Sequence, residues 1–584
     1  MELCAYDTTS SNIKKMDKSN EVAKLVFEDS DSLLQRFYKH VEERPDVTYL
    51  TQPIEGVEEP TVYTFKEVYN EAMTMAAHLK SLNFPPQSKI AIVSKNCAHF
   101  FMAELAIWMS GCVTVALFPN LNASTAKYIF EHSEAKLMFL GKVEDSWNKM
   151  KEGVPDGIPT IGFPMAPESG DYEKWEDVQS KSKPLEEKPT RDADDESLIV
   201  YTSGSTGMPK GVLHTFKTIS YTSKLMCNLS DFNEEDRYLS YLPIAHVMER
   251  WIGLSCSLYA GYQVFFAESL KTFLADLNRC KPTLFISVPR LWLKFQLGVY
   301  SKKSPKTINM LLKIPILRNI IGKKILKTLG LDCVKLAGTG SAPIPPELLL
   351  WYRSLGLSLL EGYGMSENFC FSHSSIKGME KFGFVGNAMP GVDCKISDEG
   401  EILIKGPGNM VGYYKAPEKT AEVTTEDGYF RTGDKGEIDA EGRMKITGRI
   451  KELFKTSKGK YVAPSPIENI LNNDTNIEMS LVGGSGQVMT MAVVQLAEGL
   501  LEKVQKDDDL KKKVTDDMTA LLSKVNSEIE DHEKVGFIVV AKDPWTIDEG
   551  LLTPTMKIKR TQIEEQYEPK LDGWYAGGIK IIWE

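Results

Sequence analysis

The stretch Leu198-Ile199-Val200-Tyr201-Thr202-Ser203-Gly204-Ser205-Thr206-Gly207-Met208-Pro209-Lys210-Gly211 decides how this chain is read. A β-branched and aromatic run predicts a buried strand. The strand feeds a loop of glycines and hydroxyls that ends in a lysine. Such a loop suits polyphosphate: glycines let the backbone come close and turn N–H groups toward the anion, hydroxyls add donors, and the lysine adds charge. The ordinary phosphate loop, G-x-x-x-x-G-K-[ST], does not fit. Gly204 and Lys210 have its spacing, but Pro209 stands at the second glycine and Gly211 at the magnesium-binding hydroxyl. Pro209 also has no N–H to offer a phosphate. The expectation is a phosphate loop of another kind, with an ordinary surface turn as its alternative.

Outward from this loop the chain alternates. Phe65–Leu82 reads as a helix, Lys89–Val93 as a strand, Phe100–Met109 as a helix and Val113–Leu117 as a strand. That order predicts parallel sheets covered by helices. Residues 180–196, rich in Lys, Pro, Asp and Glu, read as a solvated connection. A second α/β block runs to about 390, and 391–447 reads as a small antiparallel unit. A compact α+β unit begins near Gly448-Arg449-Ile450-Lys451. The expected fold class is therefore α/β, with domains at 1–30 (partly ordered extension), 31–449 (large) and 450–584 (small). With 584 residues, more than one core is required.

The net charge of −11 argues against nucleic acid as the main partner. No apolar run approaches a membrane span, and the N-terminus lacks the pattern of a secretory signal. Nine scattered cysteines without metal-ligand spacing read as reduced thiols of a cytoplasmic protein. One stretch runs against the overall charge. Ser301–Gly330 carries eight cations (Lys302, Lys303, Lys306, Lys313, Arg318, Lys323, Lys324, Lys327) among apolar residues and no acid. It reads either as helices packed on a domain or as a peripheral contact with an anionic bilayer.

Three more motifs carry chemistry. In Leu360-Glu361-Gly362-Tyr363-Gly364-Met365-Ser366-Glu367, glycines flank a tyrosine that can lie beside a planar group. Ser366 can donate to an oxygen, and Glu367 suits a hard cation. Upstream, the small residues Gly340, Ser341 and Ala342 leave room for a flat base. In Gly428–Asp434, the aspartate can accept two hydrogen bonds from a ribose diol, with Arg449 nearby. Leu552-Thr553-Pro554-Thr555-Met556-Lys557-Ile558-Lys559-Arg560 is a basic cluster that nothing internal distinguishes from a solvated face.

In this order, from about residue 60 to 565, the four motifs resemble the adenylate-forming superfamily, which includes acyl-CoA synthetases, luciferase and nonribosomal-peptide adenylation domains. Tyr241–Arg250, Val288–Trp292 and Gly448–Pro464 are similar to long-chain fatty acyl-CoA synthetases. The resemblance implies a large N-terminal domain, a mobile C-terminal α+β domain and an ATP-dependent ligation. A carboxylate attacks the α-phosphorus and expels pyrophosphate, and the coenzyme A thiol then displaces AMP. It also implies roles. Thr202, Ser203, Gly204, Ser205, Thr206, Gly207 and Lys210 hold the β- and γ-phosphates. Thr206 and Glu367 anchor Mg²⁺. Glu361, Gly362, Tyr363, Gly364, Met365 and Ser366, with Gly340, Ser341 and Ala342, surround adenine and the α-phosphate. Asp434 and Arg449 hold the ribose. Lys557 is the catalytic lysine, with Lys559 as runner-up. Lys451 is the hinge, Lys458-Gly459-Lys460 approaches coenzyme A, and His246 and Trp251 line the acyl pocket. The readings left open are an enzyme of the same fold for an aryl or shorter acid or a non-CoA acceptor, and an inactive ATP- or lipid-binding homologue.

Overall fold

The computed structural model describes residues 18–168, 170–202 and 208–584. Ser203, Gly204, Ser205, Thr206 and Gly207, five of the expected phosphate-binding residues, lie outside the described residues. So does the first part of the extension at 1–30.

The expected elements form close to their expected bounds. The first helix is Phe65–Ser81, opened by a reciprocal cap in which the Thr64 hydroxyl accepts from the Glu67 amide and the Glu67 carboxylate accepts from the Thr64 amide. Lys89–Val93 and Val113–Leu117 are neighbouring parallel strands. Glu196–Thr202 pairs with Val113–Leu117 in parallel and turns back into the antiparallel strand Lys210–Thr215. The strands that flank the loop of the sequence reading are therefore antiparallel neighbours, joined to a sheet whose centre is parallel.

The second large sheet has thirteen strands among the described residues. Its parallel part contains Leu284–Ser287, Leu336–Thr339 and Leu359–Tyr363. The antiparallel strands keep a small apolar core of their own at Ile402, Ile404 and Met444, yet stay joined to the parallel part. Tyr363 pairs with His373, His373 with Ala388, and Asn387 with Arg443, so hydrogen bonding continues from the parallel strands into 386–449. A composition shift marks where pairing changes direction, but the ladder itself runs on. The segment 180–196 is not purely solvated. Arg191 is buried, bonded to Asp195 and donating to the carbonyls of Trp108, Cys112 and Glu196, with its guanidinium over the Phe216 ring. Its cation anchors the connection to the first sheet.

The C-terminal part has its own four-stranded sheet, Ile477–Gly483, Thr490–Leu496, Val535–Val540 and Ile581–Trp583. Its two apolar cores draw only on residues beyond 450. The basic stretch forms helices Pro305–Leu312 and Pro315–Thr328, with Pro315 starting the second as proline does well. Ile308, Leu312, Ile325 and Leu326 are buried, while Met310, Ile314, Ile316 and Ile320 are exposed.

Candidate active site

One cavity of about 2080 Å³ collects nearly every motif. Thr202 and Lys210, the base loop Gly340–Ala342, Glu361–Glu367, Asp434, Arg449, Lys451, Lys557, Lys559, His246 and Trp251 all line it. The exposed turn Lys458-Gly459-Lys460 does not; the structure leaves it at the surface, away from the cavity.

The side of the cavity around Gly340–Ala342 begins at adjacent strand ends. Leu336–Thr339 delivers Gly340, Ser341 and Ala342, and its parallel neighbour Leu359–Tyr363 delivers the tyrosine. Gly364 is required for a reason the motif did not reveal. A Cβ there would lie 2.5 Å from the Cys370 carbonyl oxygen, so only glycine lets the 364 and 370 backbones close. The Tyr363 hydroxyl donates to Asp434 at 2.7 Å. The other Asp434 oxygen sits 2.8 Å from Arg449 Nε. Asp434 and Arg449 are direct partners across an antiparallel pair, so strand register sets that contact. Asp434 is nearly buried and already held by two donors. A ribose diol would use its remaining lone pairs.

Glu367 sits in the short helical turn Ser366–Asn368. Tyr413 donates its hydroxyl to Glu367 Oε1 at 2.9 Å, leaving Oε2 free of that bond. Tyr413 and His214 were not singled out from the sequence. Tyr413 lies on a two-residue strand paired with Lys210–Thr215, register Tyr413↔Val212. His214 is fully buried on Lys210–Thr215, its Nε2 2.8 Å from the Ser366 carbonyl. Burial pushes its pKa down to about 4, so the ring is neutral and Nε2–H donates. Nothing local singled out His214, because the whole run Gly211–His214 is buried.

Lys557 comes from the C-terminal part. Leu552 and Ile558 form an antiparallel bridge. Between them the Thr553 amide donates to the Lys557 carbonyl at 2.8 Å, and the Lys557 amide to the Thr553 hydroxyl at 3.0 Å. Met556 takes φ +61°, the left-handed region. Lys557 keeps accessible surface, but that surface opens into the cavity with protein around it. Its pKa is lowered, first by burial and then by Arg449, against the pull of Cys370 and Asp434. Lys559 donates its amide to Leu551.

His246 lines the cavity, and its Nδ1 accepts from the Met248 amide at 3.2 Å. Burial, then Lys557, holds its pKa down at about 4, so it is neutral. Trp251 is buried edge-on to Phe371. The end of the same motif serves the core instead. Arg250 and Glu104 form a two-pronged pair at 2.7 and 3.0 Å, both side chains fully enclosed. Lys451 sits exposed in the turn Ile450–Glu452; burial first, and Lys451 after it, lowers the pKa of Lys210 against the pull of Glu367. Among the described residues there is no metal-ligating group of three or more His, Cys, Asp or Glu side chains.

Two family models match. AMP-binding enzyme covers residues 37–414, and AMP-binding enzyme C-terminal domain covers 452–578. The chain is 29% identical to Long-chain-fatty-acid–CoA ligase 1 of Homo sapiens, over 90% of this chain and 83% of the relative. It is 27% identical to a long-chain-fatty-acid–CoA ligase of Mycobacterium bovis, over 93% and 97%. The adenylation domain of a carboxylate reductase from Mycobacterium chelonae superposes with a TM-score of 0.76 at 22% identity, covering 97% of this chain and 95% of that one. An anthranilate CoA ligase in complex with anthranoyl-AMP gives 0.74 at 19%, covering 94% and 100%. With a family model spanning most of the chain and Lys557, Glu367, Asp434 and Arg449 in one cavity, the chain belongs to the AMP-binding enzyme family, the adenylate-forming superfamily of ligases.

Proposed function

We propose that the chain activates a fatty acid, long-chain in preference, to acyl-AMP and then acyl-CoA, with ATP and coenzyme A as co-substrates. The observation that carries this is the meeting of Lys557 with Asp434, Arg449, Glu367 and His246 in one cavity. Beyond His246 the cavity is walled by Trp251, Ile252, Ile286, Leu293 and Met226, an apolar lining suited to an alkyl chain. The long-chain ligases among the relatives support the same choice.

Charge is the obstacle in the first step, since an anion must meet a polyanion. The residues answer with prearranged groups. Lys210 and the loop before it hold the departing pyrophosphate. Tyr363, Gly340, Ser341 and Ala342 receive the base. Asp434 and Arg449 fix the ribose. Lys557 bridges the carboxylate and the α-phosphate and acts mainly on the transition state. Glu367 is an oxygen ligand oriented by a hydroxyl, which fits Mg²⁺; Thr206 is the second ligand of this reading. When bound, Mg²⁺ would neutralise charge on the phosphates. Residues 31–449 act as the adenylating part and 450–584 as the mobile part. Lys451 is the pivot, and Lys458-Gly459-Lys460 meets coenzyme A after rotation.

The exposed Met310, Ile314, Ile316 and Ile320, beside eight cations that have no ion-pair partner among the described residues, favour a cytoplasmic enzyme resting on an anionic bilayer. Flotation with anionic and neutral vesicles tests this, and equal recovery with both would refute it. The main test is pyrophosphate release over a panel of acids with coenzyme A present. Release greatest with long-chain acids and accompanied by thioester is expected. Preference for aryl or short acids, or adenylate without thioester, would select the same-fold alternative. ATP binding with no release on any acid would select an inactive homologue.

A further inference from the structure

Lys210 and Glu367 line the same cavity and attract each other, yet among the described residues Lys210 has no ion-pair partner. An ammonium and a carboxylate in a partly buried cleft would ordinarily close on each other. The side chain that touches both is Tyr413. Its ring centroid lies 4.5 Å from Lys210 Nζ, and its hydroxyl is 2.9 Å from Glu367 Oε1. Tyr413 is buried, and its backbone is locked to the strand that begins at Lys210. Nearby contacts fix the other side. The Met410 amide donates to the Glu367 carbonyl at 2.8 Å, and His214 holds the Ser366 carbonyl. The aromatic face offers the cation a weaker hold than a carboxylate would, and the hydroxyl occupies one carboxylate oxygen.

We propose that Tyr413 is a positioning residue that keeps Lys210 and Glu367 apart in the nucleotide-free enzyme. The lysine then stays available to a polyphosphate and one Glu367 oxygen to a divalent cation. This rests on the nucleotide reading of Lys210. Without the ring, the two charges close into an internal pair that a nucleotide must first break. Without only the hydroxyl, the spacing survives and the carboxylate loses its orientation.

Calorimetric titration of ATP in the presence of chelator tests the spacer without metal or turnover. Tyr413→Leu is expected to weaken metal-free ATP binding about tenfold, an internal pair of ordinary strength. Tyr413→Phe is expected to change it by no more than about twofold. Adding Glu367→Gln to Tyr413→Leu should restore binding to within about threefold of Glu367→Gln alone, because the lysine then has no carboxylate to meet. Structural damage would not be rescued in this way. Unchanged metal-free binding in Tyr413→Leu, or a loss that Glu367→Gln leaves in place, overturns the proposal. Titrating Mg²⁺ into the ATP complex of Tyr413→Phe reads the hydroxyl independently, even where Tyr413→Leu does not fold. At least about a tenfold loss is expected for removing the partner that orients a ligand, and no loss overturns that half. Lys210→Ala separates the failures. If it leaves metal-free binding unchanged, the nucleotide reading falls and takes the proposal with it. If Glu367→Gln leaves the Mg²⁺ titration unchanged, the metal reading and the hydroxyl half fall, and the spacer stands on the metal-free result.

Discussion

Tyr363 and Asp434, 71 residues apart, are joined by a 2.7 Å hydrogen bond from the phenol to the carboxylate. Arg449 holds the second oxygen of the same carboxylate. Asp434, the ribose acceptor of the proposed function, is thus aligned by Tyr363 of a motif far from it in sequence. Tyr363→Phe removes one aligning donor to a charged group, worth about 1.5–3 kcal/mol. The KM for ATP in pyrophosphate exchange should rise about tenfold or more, with kcat nearly unchanged. Asp434→Ala should cost more, because it also strips Arg449 of its partner.

Lys557→Ala should slow acyl-adenylate formation by about 10²–10³-fold, the scale for one prearranged electrostatic contact. Thioester formation from a preformed adenylate should be spared. Single-turnover assays of the two half-reactions separate these outcomes, and equal damage to both would refute the role.

The same lysine sets a pH limit. Burial and Arg449 lower its pKa below the ordinary lysine value, and it stabilises negative charge only while protonated. Adenylation should therefore fall as pH rises through that lowered value, earlier than an ordinary lysine allows. Lys557→Arg, charged throughout, should move the alkaline limb upward even with a reduced maximum.

Met556 at φ +61° bears strain that glycine would not. A β-branched residue there should destabilise by about 1–3 kcal/mol. Met556→Gly should be neutral to slightly stabilising, since lost strain offsets about 0.5–1 kcal/mol of added chain entropy. Denaturant titrations of Met556→Val and Met556→Gly should bracket the parent chain.

Arg290, at the start of helix Pro289–Lys302, pairs with Glu478 and also donates to its carbonyl, tying the large part to the C-terminal sheet. Asn120 adds a bond of 3.3 Å to the Pro554 carbonyl. Partly exposed pairs contribute about 0.2–1 kcal/mol. Glu478→Ala should therefore slow adenylation by up to about fivefold and leave the thioester step unchanged or faster. Small-angle scattering should show a broader distribution of domain arrangements.

Much of this was legible because local chemistry wrote it. Lys89–Val93 and Val113–Leu117 fell at their expected bounds, since short apolar runs between polar turns leave little freedom. Pro209 and Gly211 correctly excluded the ordinary phosphate loop. What stayed hidden depends on partners distant in sequence. Nothing near Arg191 shows that it reaches three carbonyls from beneath the first sheet. Nothing near Tyr413 shows that it lies against Lys210 and Glu367. Gly364 looked like space for a ring, but its reason is the backbone of Cys370. The strand pairings of His373 and Ala388 join the small antiparallel unit to the larger sheet, which composition alone does not report.

The unbroken ladder from Leu336 to Arg449 has a mechanical consequence. The strands that bear Tyr363 and those that bear Asp434 and Arg449 belong to one stiff plate, and the turn Ile450–Glu452 starts just beyond its last residue. A swing about 450–452 would carry Lys557 off like a withdrawn tool while the workpiece stays gripped. On the proposed reading, such an enzyme would change instruments between operations without setting its unstable intermediate down.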